Sequence, residues 1–213
     1  MYPTKTKLLI AILVMGVTAI VSEEFAPLWV YGVFKITTTL LVLLLASSNK
    51  QISRLGARVF VALLFCLFGD IALLWEDGFL VGLGFFFVAH LLFIRAFKAR
   101  FRITIHWMAL LTVFGIAGTC LYFILPNVDQ LLQIAILGYV SILSIMSTLS
   151  MSIGLSRKTK YSLQLALGGF LFMVSDALLG INAFVNPIPF ASILILTTYW
   201  GAITSLANAA REF

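Results

Sequence analysis

Long apolar stretches separated by short polar segments dominate the sequence. A helix needs about 20 mostly apolar residues to cross a bilayer, and eight stretches approach or meet that length. Their predicted bounds are Lys7–Val21, Leu28–Ser47, Arg58–Trp75, Phe79–Phe97, Ile105–Ile124, Leu131–Leu155, Ser162–Phe184 and Pro189–Ala210. The segments between them are too short to hold a soluble domain. The pattern therefore predicts an all-α integral membrane bundle of eight transmembrane helices, formed as a single domain by residues 1–213.

The first stretch also has features of a secretory signal peptide, because it is short and follows Lys5 and Lys7. A cleavable signal ends in small residues before the cleavage point, and Val17-Thr18-Ala19 meets that requirement poorly. We therefore expect an uncleaved first helix.

Charged residues in the connecting segments alternate in sign along the chain. Acidic residues follow the first, third and fifth helices at Glu23, Glu24, Glu76, Asp77 and Asp129. Basic residues occupy the other ends, at Lys5, Lys7, Lys50, Arg54, Arg58, Arg95, Lys98, Arg100, Arg102, Arg157, Lys158, Lys160 and Arg211. Cytoplasmic loops of membrane proteins carry an excess of Lys and Arg. We therefore expect both termini in the cytoplasm.

The composition agrees with a membrane protein and excludes other classes. Hydrophobic residues make up 62% of the chain and charged residues 10%, against roughly 45–50% and about 25% in soluble domains. So few charges exclude a soluble enzyme, a disordered chain and a nucleic-acid-binding protein. The net charge of +6 is explained by the basic loops. Cys66 and Cys120 lie in apolar stretches and give neither a disulfide framework nor metal-ligand spacing.

Two segments of the sequence are alike, and each contains an aspartate inside an apolar helix. FCLFGDIALL surrounds Asp70 and LFMVSDALLG surrounds Asp176, about half of the chain further on. A duplication would give two parallel repeats of four helices, residues 1–104 and 105–213, related by an axis along the membrane normal. Chance similarity between two apolar helices is the alternative.

Four ionisable side chains lie inside the predicted helices, namely Lys35, Asp70, His90 and Asp176. A charge at the bilayer centre costs at least ~2.5–3.5 kcal/mol, so such residues normally face the bundle interior. At a helical rise of about 1.5 Å per residue, Lys35 and Asp70 lie about 9 Å from the outer ends of their helices. Asp176, His90 and Tyr199 lie about 15 Å deep. We expect all five to line one cavity between the outer boundary and the midplane.

Structural roles are the alternative for several of these residues. Lys35 could extend towards the outer surface or form a structural ion pair with Asp70, and His90 could serve only as a hydrogen bond between helices. Thr38 and Ser175 could pack or bond to backbone carbonyls.

The two carboxyls at different depths favour acid and base chemistry. Burial favours the neutral form of a carboxyl and a neighbouring Lys favours the ionised form. Asp70, close in depth to Lys35, is expected to be ionised, whereas the deeper Asp176 keeps its proton. Such a pair provides a general acid and a base or charge stabiliser, although a proton relay in a transporter needs the same residues.

Five short motifs occur in order around these residues. They are Val33-Phe34-Lys35 with Thr38, Gly69-Asp70 with Leu73-Leu74, Phe87-Val88-Ala89-His90-Leu91-Leu92, then Gly169 and Phe172 with Ser175-Asp176-Ala177-Leu178-Leu179, and Thr198-Tyr199. In this combination the chain resembles the YhhN family of membrane proteins, the lysoplasmalogenases, from about Tyr31 to Ala210. Ile203 departs from the pattern, because the family often has Gln or His at that position.

The resemblance implies a membrane hydrolase that cleaves the vinyl ether of lysoplasmalogens, in a bacterial inner membrane. The products would be a fatty aldehyde and glycerophospho-ethanolamine or -choline. Protonation of the β-carbon of an enol ether leaves an oxocarbenium ion, to which water adds. This chemistry needs an acid and a nearby anion or base, and it needs no metal, cofactor or nucleophilic Ser or Cys. The expected partners are a lysophospholipid substrate, membrane lipids and water, with no nucleic acid.

The resemblance also implies roles for the embedded residues. Asp176 is expected to donate the proton and Asp70 to stabilise the cation and activate water, with the reverse assignment left open. Lys35 is expected to bind phosphate or to tune Asp70. The remaining candidates would orient substrate or water; they are His90, Tyr199, Ser175 and Thr38.

A transporter or channel for a small solute or lipid is the competing interpretation, because parallel repeats and midplane charges suit it equally. The chain has few intramembrane glycines paired with proline and no evident broken helix, which transporters often have. A non-catalytic scaffold would not need two buried aspartates. The physiological substrate, the leaflet that supplies it and the oligomeric state are left open by the sequence.

Overall fold

The computed structural model describes residues 5–48 and 53–212 of the chain. These residues form eight long helices, each long and apolar enough to cross a membrane. Their bounds are α1 Lys5–Phe25, α2 Leu28–Ser47, α3 Arg54–Ala72, α4 Phe79–Arg100, α5 Trp107–Ile124, α6 Gln130–Arg157, α7 Lys160–Phe184 and α8 Ala191–Arg211. The predicted all-α bundle of eight helices is confirmed. Lys50, one of the basic positions in the topology prediction, lies outside the described residues.

Several helices extend further at their polar ends than predicted, because a helix can continue beyond the apolar core of a bilayer. α1 reaches Phe25 instead of ending at Val21. α3 begins at Arg54, where the hydroxyl of Ser53 accepts a hydrogen bond from the amide of Gly56 at 2.9 Å. Such a cap satisfies an amide that has no partner within the helix.

The other end of α3 comes earlier than predicted, at Ala72 instead of Trp75. The chain leaves the helix through tight turns and enters a short 3₁₀ helix, Glu76–Gly78. Gly78 lies so close to α3 that a Cβ at this position would collide with the carbonyl oxygen of Ala72. Asp70 is consequently in the last turn of α3, nearer to the end of its helix than the sequence indicated.

The chain termini and the basic loops share one end of the bundle. Lys5 forms an ion pair with Glu212 at 3.4 Å, and the hydroxyl of Ser53 donates to the carbonyl of Ala210 at 3.1 Å. Because successive helices run in opposite directions, the acidic loops lie at the opposite end. We call these two ends the basic end and the acidic end.

Large apolar side chains fill the half of the bundle nearer the basic end. These fully buried side chains include Leu55, Phe93, Phe97, Leu165 and Leu206. The two halves of the chain meet where α4 packs on α6 and where α8 packs on α2 and α3. The space lined by ionisable side chains lies towards the acidic end, and the candidate site is there.

Candidate active site

A polar cavity of about 560 Å³ reaches the surface at the acidic end of the bundle. Exposed Glu23 and Glu76 lie at its mouth, and the buried side chains of Asp70 and Tyr199 lie at its base. It is lined by residues of α1, α2, α3, α4, α7 and α8. Five of the seven predicted site residues line this cavity: Lys35, Asp70, Ser175, Asp176 and Tyr199.

Asp70 is held at the base of the cavity by two hydroxyl groups. Its Oδ2 accepts hydrogen bonds from Thr39 Oγ1 at 2.7 Å and from the hydroxyl of Tyr199 at 2.8 Å. The indole of Trp200 in turn donates to Thr39 Oγ1 at 3.4 Å. Oδ1 has no hydrogen-bond partner within the described ranges. An ionised carboxylate only accepts hydrogen bonds, so this arrangement suits Asp70 as an anion with one oxygen free.

Gly69 allows an aromatic ring to pack directly beneath this carboxylate. A Cβ at Gly69 would lie 2.6 Å from the ring of Phe86, closer than real side chains approach. Phe86 packs edge to face against Tyr199, with ring centroids 5.9 Å apart, and Phe172 packs likewise at 5.7 Å from Tyr199. The two phenylalanine rings fix the position of the Tyr199 phenol that donates to Asp70.

Asp176 is linked to His90 through a tyrosine. The hydroxyl of Tyr139 donates to Asp176 Oδ2 at 2.5 Å, and Nε2 of His90 lies 3.1 Å from the same phenol oxygen. The direct distance from His90 Nε2 to Asp176 Oδ2 is 3.8 Å. The side chain of Asp176 is 13% exposed, whereas that of His90 is fully buried. His90 therefore lies behind Asp176 and does not line the cavity, contrary to the prediction. Asp176 is also more exposed than Asp70, which is 2% exposed, although the sequence placed Asp176 deeper.

The hydrogen-bonded series His90, Tyr139 and Asp176 allows two arrangements of its protons. A phenol has one proton, so when Tyr139 donates to an ionised Asp176, His90 must donate from Nε2. When Asp176 is protonated, it can donate to Tyr139, which then donates to His90. The protonation of Asp176 is therefore coupled to the tautomer of a histidine whose Nδ1 is buried without a partner in the described part of the chain.

Lys35 faces the polar cavity from α2. Its side chain is 5% exposed, and its ammonium group lies 5.5 Å from the centroid of the Tyr31 ring. Among residues 5–48 and 53–212 it makes no direct ion pair with a carboxylate. Lys35 thus neither extends to the exposed surface nor forms the direct ion pair with Asp70 that the sequence left open.

Thr38 and Ser175 bond to backbone carbonyls. Thr38 donates to the carbonyl of Phe34 at 2.8 Å and does not line the polar cavity. Ser175 lies at the cavity wall, and its hydroxyl donates to the carbonyl of Ile195 on α8 at 3.0 Å. The neighbour of Thr38, Thr39, is the threonine that contacts Asp70.

A smaller apolar chamber of about 60 Å³ adjoins the polar cavity between α4, α5, α6 and α7. Five residues line both spaces, namely Leu73, Phe79, Phe86, Asp176 and Leu179. The rest of the chamber wall is apolar apart from Tyr139, and it includes Cys120 and Gly180. The carboxyl of Asp176 is therefore at the boundary between a polar and an apolar space.

Sequence reasoning missed Tyr139 and Thr39. A phenol in the middle of a predicted span needs a polar partner, and this signal could have drawn attention to Tyr139. Thr39 could not be separated from Thr37 and Thr38, because the rotation of α2 about its axis was unknown. No group of three or more His, Cys, Asp or Glu side chains able to hold a metal ion occurs in the described part of the chain.

Comparison with known proteins places the chain in a family. The sequence profile of the YhhN family matches residues 30–210. Lysoplasmalogenase TMEM86A of Bos taurus is 31% identical over 163 residues, which cover 74% of this chain and 66% of that protein. Lysoplasmalogenase TMEM86B of Sus scrofa is 29% identical over 177 residues, which cover 83% of this chain and 73% of that protein.

Lysoplasmalogenase TMEM86A of Homo sapiens is 29% identical over 162 residues, which cover 74% of this chain and 66% of that protein. The chain thus spans about two thirds of the length of the TMEM86A relatives. No solved structure matches it. Since the family profile covers most of the sequence, this chain, an integral membrane protein with eight apolar helices, belongs to the YhhN family.

Proposed function

We propose that this protein hydrolyses the vinyl ether of lysoplasmalogens, giving a fatty aldehyde and glycerophospho-ethanolamine or -choline. The observation that carries the proposal is the placement of Asp70 and Asp176 in one cavity, with Asp176 at the border of an apolar chamber. A lysolipid has the matching polarity, with a polar head group and an apolar chain on either side of its ether. The names of the relatives support the same substrate.

The acid step uses Asp176. With the head group in the polar cavity and the first chain carbons in the apolar chamber, the double bond lies beside this carboxyl. Asp176 gives its proton to the β-carbon of the enol ether, the double bond supplies the electron pair, and an oxocarbenium ion results. General acid catalysis of this kind typically contributes ~10²–10⁴-fold to the rate.

The second carboxyl completes the reaction. Asp70 stabilises the oxocarbenium ion by its negative charge and takes a proton from the attacking water through its free Oδ1. The resulting hemiacetal collapses to the aldehyde and the free glycerol hydroxyl, with the protons returned through the two carboxyls. The hydrogen bond from Tyr139 stabilises the carboxylate that Asp176 becomes once it has given its proton to the substrate.

A direct test uses purified protein and three lysolipids that share one head group. The vinyl ether substrate should release free aldehyde, whereas the saturated 1-O-alkyl and the 1-acyl analogues should release none. Only an enol ether has a β-carbon that an acid can protonate. Aldehyde release from none of the three would contradict the proposal.

Replacing Tyr139 with phenylalanine should slow turnover. The variant loses the donor to Asp176 and the link to His90, and a hydrogen bond to a charged group is worth about 1.5–3 kcal/mol. We expect kcat to fall about tenfold or more. The matched control is Tyr122→Phe, because Tyr122 is 75% exposed on the outer surface of the bundle. Equal activity in both variants would remove Tyr139 from the mechanism.

Replacing Lys35 with methionine should weaken substrate binding more than it slows the chemistry. Lys35 is a buried cation with no carboxylate directly paired to it among the described residues, so the phosphate of a lysolipid is its natural counter-ion. Loss of a charge-assisted hydrogen bond should raise KM roughly ten- to a hundredfold. An unchanged KM with a shifted pH–rate profile would instead indicate that Lys35 tunes Asp70.

We also propose that the basic end faces the cytoplasm, so that the polar cavity opens on the other side of the membrane. Twelve basic residues of the described part of the chain lie in or beside the loops of that end or near the chain termini, and none of the described basic residues lies in the loops of the acidic end. A green fluorescent protein fused to the C-terminus should fluoresce, and alkaline phosphatase inserted after Asp77 should be active. An active phosphatase at the C-terminus would reverse the orientation.

One observation favours a hydrolase over a transporter. The half of the bundle below the candidate site is filled by fully buried side chains such as Phe93, Phe97 and Leu165. A substrate that reacts in the cavity needs access from one side only, whereas a transported solute must also pass this packed half.

A further inference from the structure

Acidic residues at the mouth of the polar cavity occur in adjacent pairs, of which one member lines the cavity. Glu23 lines it and Glu24 does not, and Glu76 lines it and Asp77 does not. All four are exposed. Membrane topology explains why this end carries acidic residues, but it does not explain why one carboxylate from the end of α1 and one from the turn before α4 face the same cavity.

The sign of charge differs between the mouth of the cavity and its interior. Glu23 and Glu76 lie at the exposed mouth, whereas Lys35 and Asp70 are buried and the side chain of Asp176 is 13% exposed. Lys35 is 95% buried on α2 without a directly paired carboxylate among the described residues, although it faces the cavity. A buried cation needs a negative partner, and the cavity is the place from which a ligand can supply one.

The rings of Tyr31 and Trp75 line the same cavity. Trp75 is 65% exposed and belongs to the turn that precedes Glu76. An aromatic face and a carboxylate together form a favourable environment for an ammonium group. Quaternary ammonium ligands are commonly bound in this way. The mouth therefore combines both kinds of group that recognise an organic cation.

We propose that Glu23, Glu76 and Trp75 bind the ammonium group of an ethanolamine or choline head group while Lys35 binds its phosphate. This assignment rests on the proposed function. A zwitterionic lysolipid presents an ammonium, a phosphate and a vinyl ether in that order, which fits carboxylates at the exposed mouth with the lysine and the two aspartates further in. An anionic phosphoglycerol head group has no cation for the two carboxylates, so the site selects zwitterionic lysolipids.

The test compares the KM of two vinyl ether lysolipids that differ only in the head group, phosphoethanolamine or phosphoglycerol. Partly exposed charge pairs contribute up to ~1 kcal/mol each, so Glu23→Gln should raise KM for the phosphoethanolamine substrate up to about fivefold. The double change Glu23→Gln with Glu76→Gln should remove most of the preference over phosphoglycerol. The matched controls are Glu24→Gln and Asp77→Asn, whose carboxylates do not line the cavity.

Measuring the binding of lysolipids that cannot be hydrolysed tests the head-group site independently of the proposed hydrolysis. Titration calorimetry with the saturated 1-O-alkyl forms of both lysolipids should show tighter binding of the phosphoethanolamine form to the unaltered protein. The preference should shrink in the Glu23 and Glu76 variants and persist in the Glu24 and Asp77 variants. Equal effects of the cavity-lining and the control substitutions, or no head-group preference at all, would overturn the assignment even if aldehyde is released.

Discussion

Replacing Asp176 with asparagine should abolish aldehyde release while leaving the bundle intact. Asparagine keeps the shape of the side chain, and its carbonyl oxygen can still accept the hydrogen bond from Tyr139. It has no acidic proton to give to the β-carbon, so the contribution of general acid catalysis, ~10²–10⁴-fold, is lost. The measurement is kcat for aldehyde release from a lysoplasmalogen, with elution volume and thermal unfolding in detergent as the check on folding.

The matched control for this variant is Asp77→Asn, which removes an exposed carboxyl at the same end of the bundle without touching the cavity. It should retain full activity. Near-normal turnover of a correctly folded Asp176→Asn protein would mean that this carboxyl is structural and that the acid step lies elsewhere.

Replacing Asp70 with asparagine should cause a loss of similar size for a different reason. The amide oxygen can accept the hydrogen bonds from Thr39 and Tyr199, so the base of the cavity is kept. The neutral side chain can neither stabilise an oxocarbenium ion nor take a proton from water. Because electrostatic stabilisation of developing charge is often the largest single contribution to catalysis, we expect kcat to fall by at least ~10².

The double variant distinguishes joint from separate action of the two carboxyls. Residues that act as a unit have non-additive effects, so Asp70→Asn combined with Asp176→Asn should be hardly slower than the slower single variant. Multiplicative losses would indicate that the two residues act in independent steps. An active Asp70→Asn protein would assign this carboxyl to packing between α2, α3 and α8.

Helix number and the depth of the site were predictable from the sequence because the bilayer imposes them. A span needs about 20 apolar residues, and an ionisable residue inside it needs the bundle interior. The shared cavity followed from comparing the depths of Lys35, Asp70 and Asp176. The end of α3 was misplaced because the tight turn at Gly78 depends on a close backbone approach, which has no signature in hydropathy.

Helix rotation was the main quantity that the sequence could not supply. The hydrophobic pattern of a span that is apolar all round does not show which face is inside. Thr39 therefore replaces Thr38 as the residue that contacts Asp70, and Tyr139 enters the site from a helix in which serines were the more visible polar residues. The packing of the helices in the structure was needed to locate Thr39 and Tyr139 in the site.

The internal repeat stays a prediction, and the surroundings of the two carboxyls support it. Asp70 accepts a hydrogen bond from the second helix of its own half and another from the last helix of the other half. Asp176 accepts one from the second helix of its half and lies 3.8 Å from His90 on the last helix of the other. The packing of α4 on α6 corresponds to that of α8 on α2.

The correspondence between the halves is incomplete. α5 packs on α7, whereas α1 has no comparable contact with α3 among the described residues. We propose that residues 1–104 and 105–213 are parallel repeats that diverged most in their first helices. Superposition of an experimental structure should bring Asp70 onto Asp176 by rotation about the membrane normal, and a best fit that separates them would reject the duplication.

The central claim is that a carboxyl of this protein protonates the β-carbon of an enol ether, and the products formed in D₂O test it most directly. Purified protein and a lysoplasmalogen are incubated in D₂O buffer, and the aldehyde and the glycerophospho product are analysed by mass spectrometry. We predict that the aldehyde carries one deuterium at C2 and forms in the same amount as the glycerophospho product. We also predict that both products form more slowly in D₂O than in H₂O. An aldehyde without deuterium, or no aldehyde at all, would contradict the account.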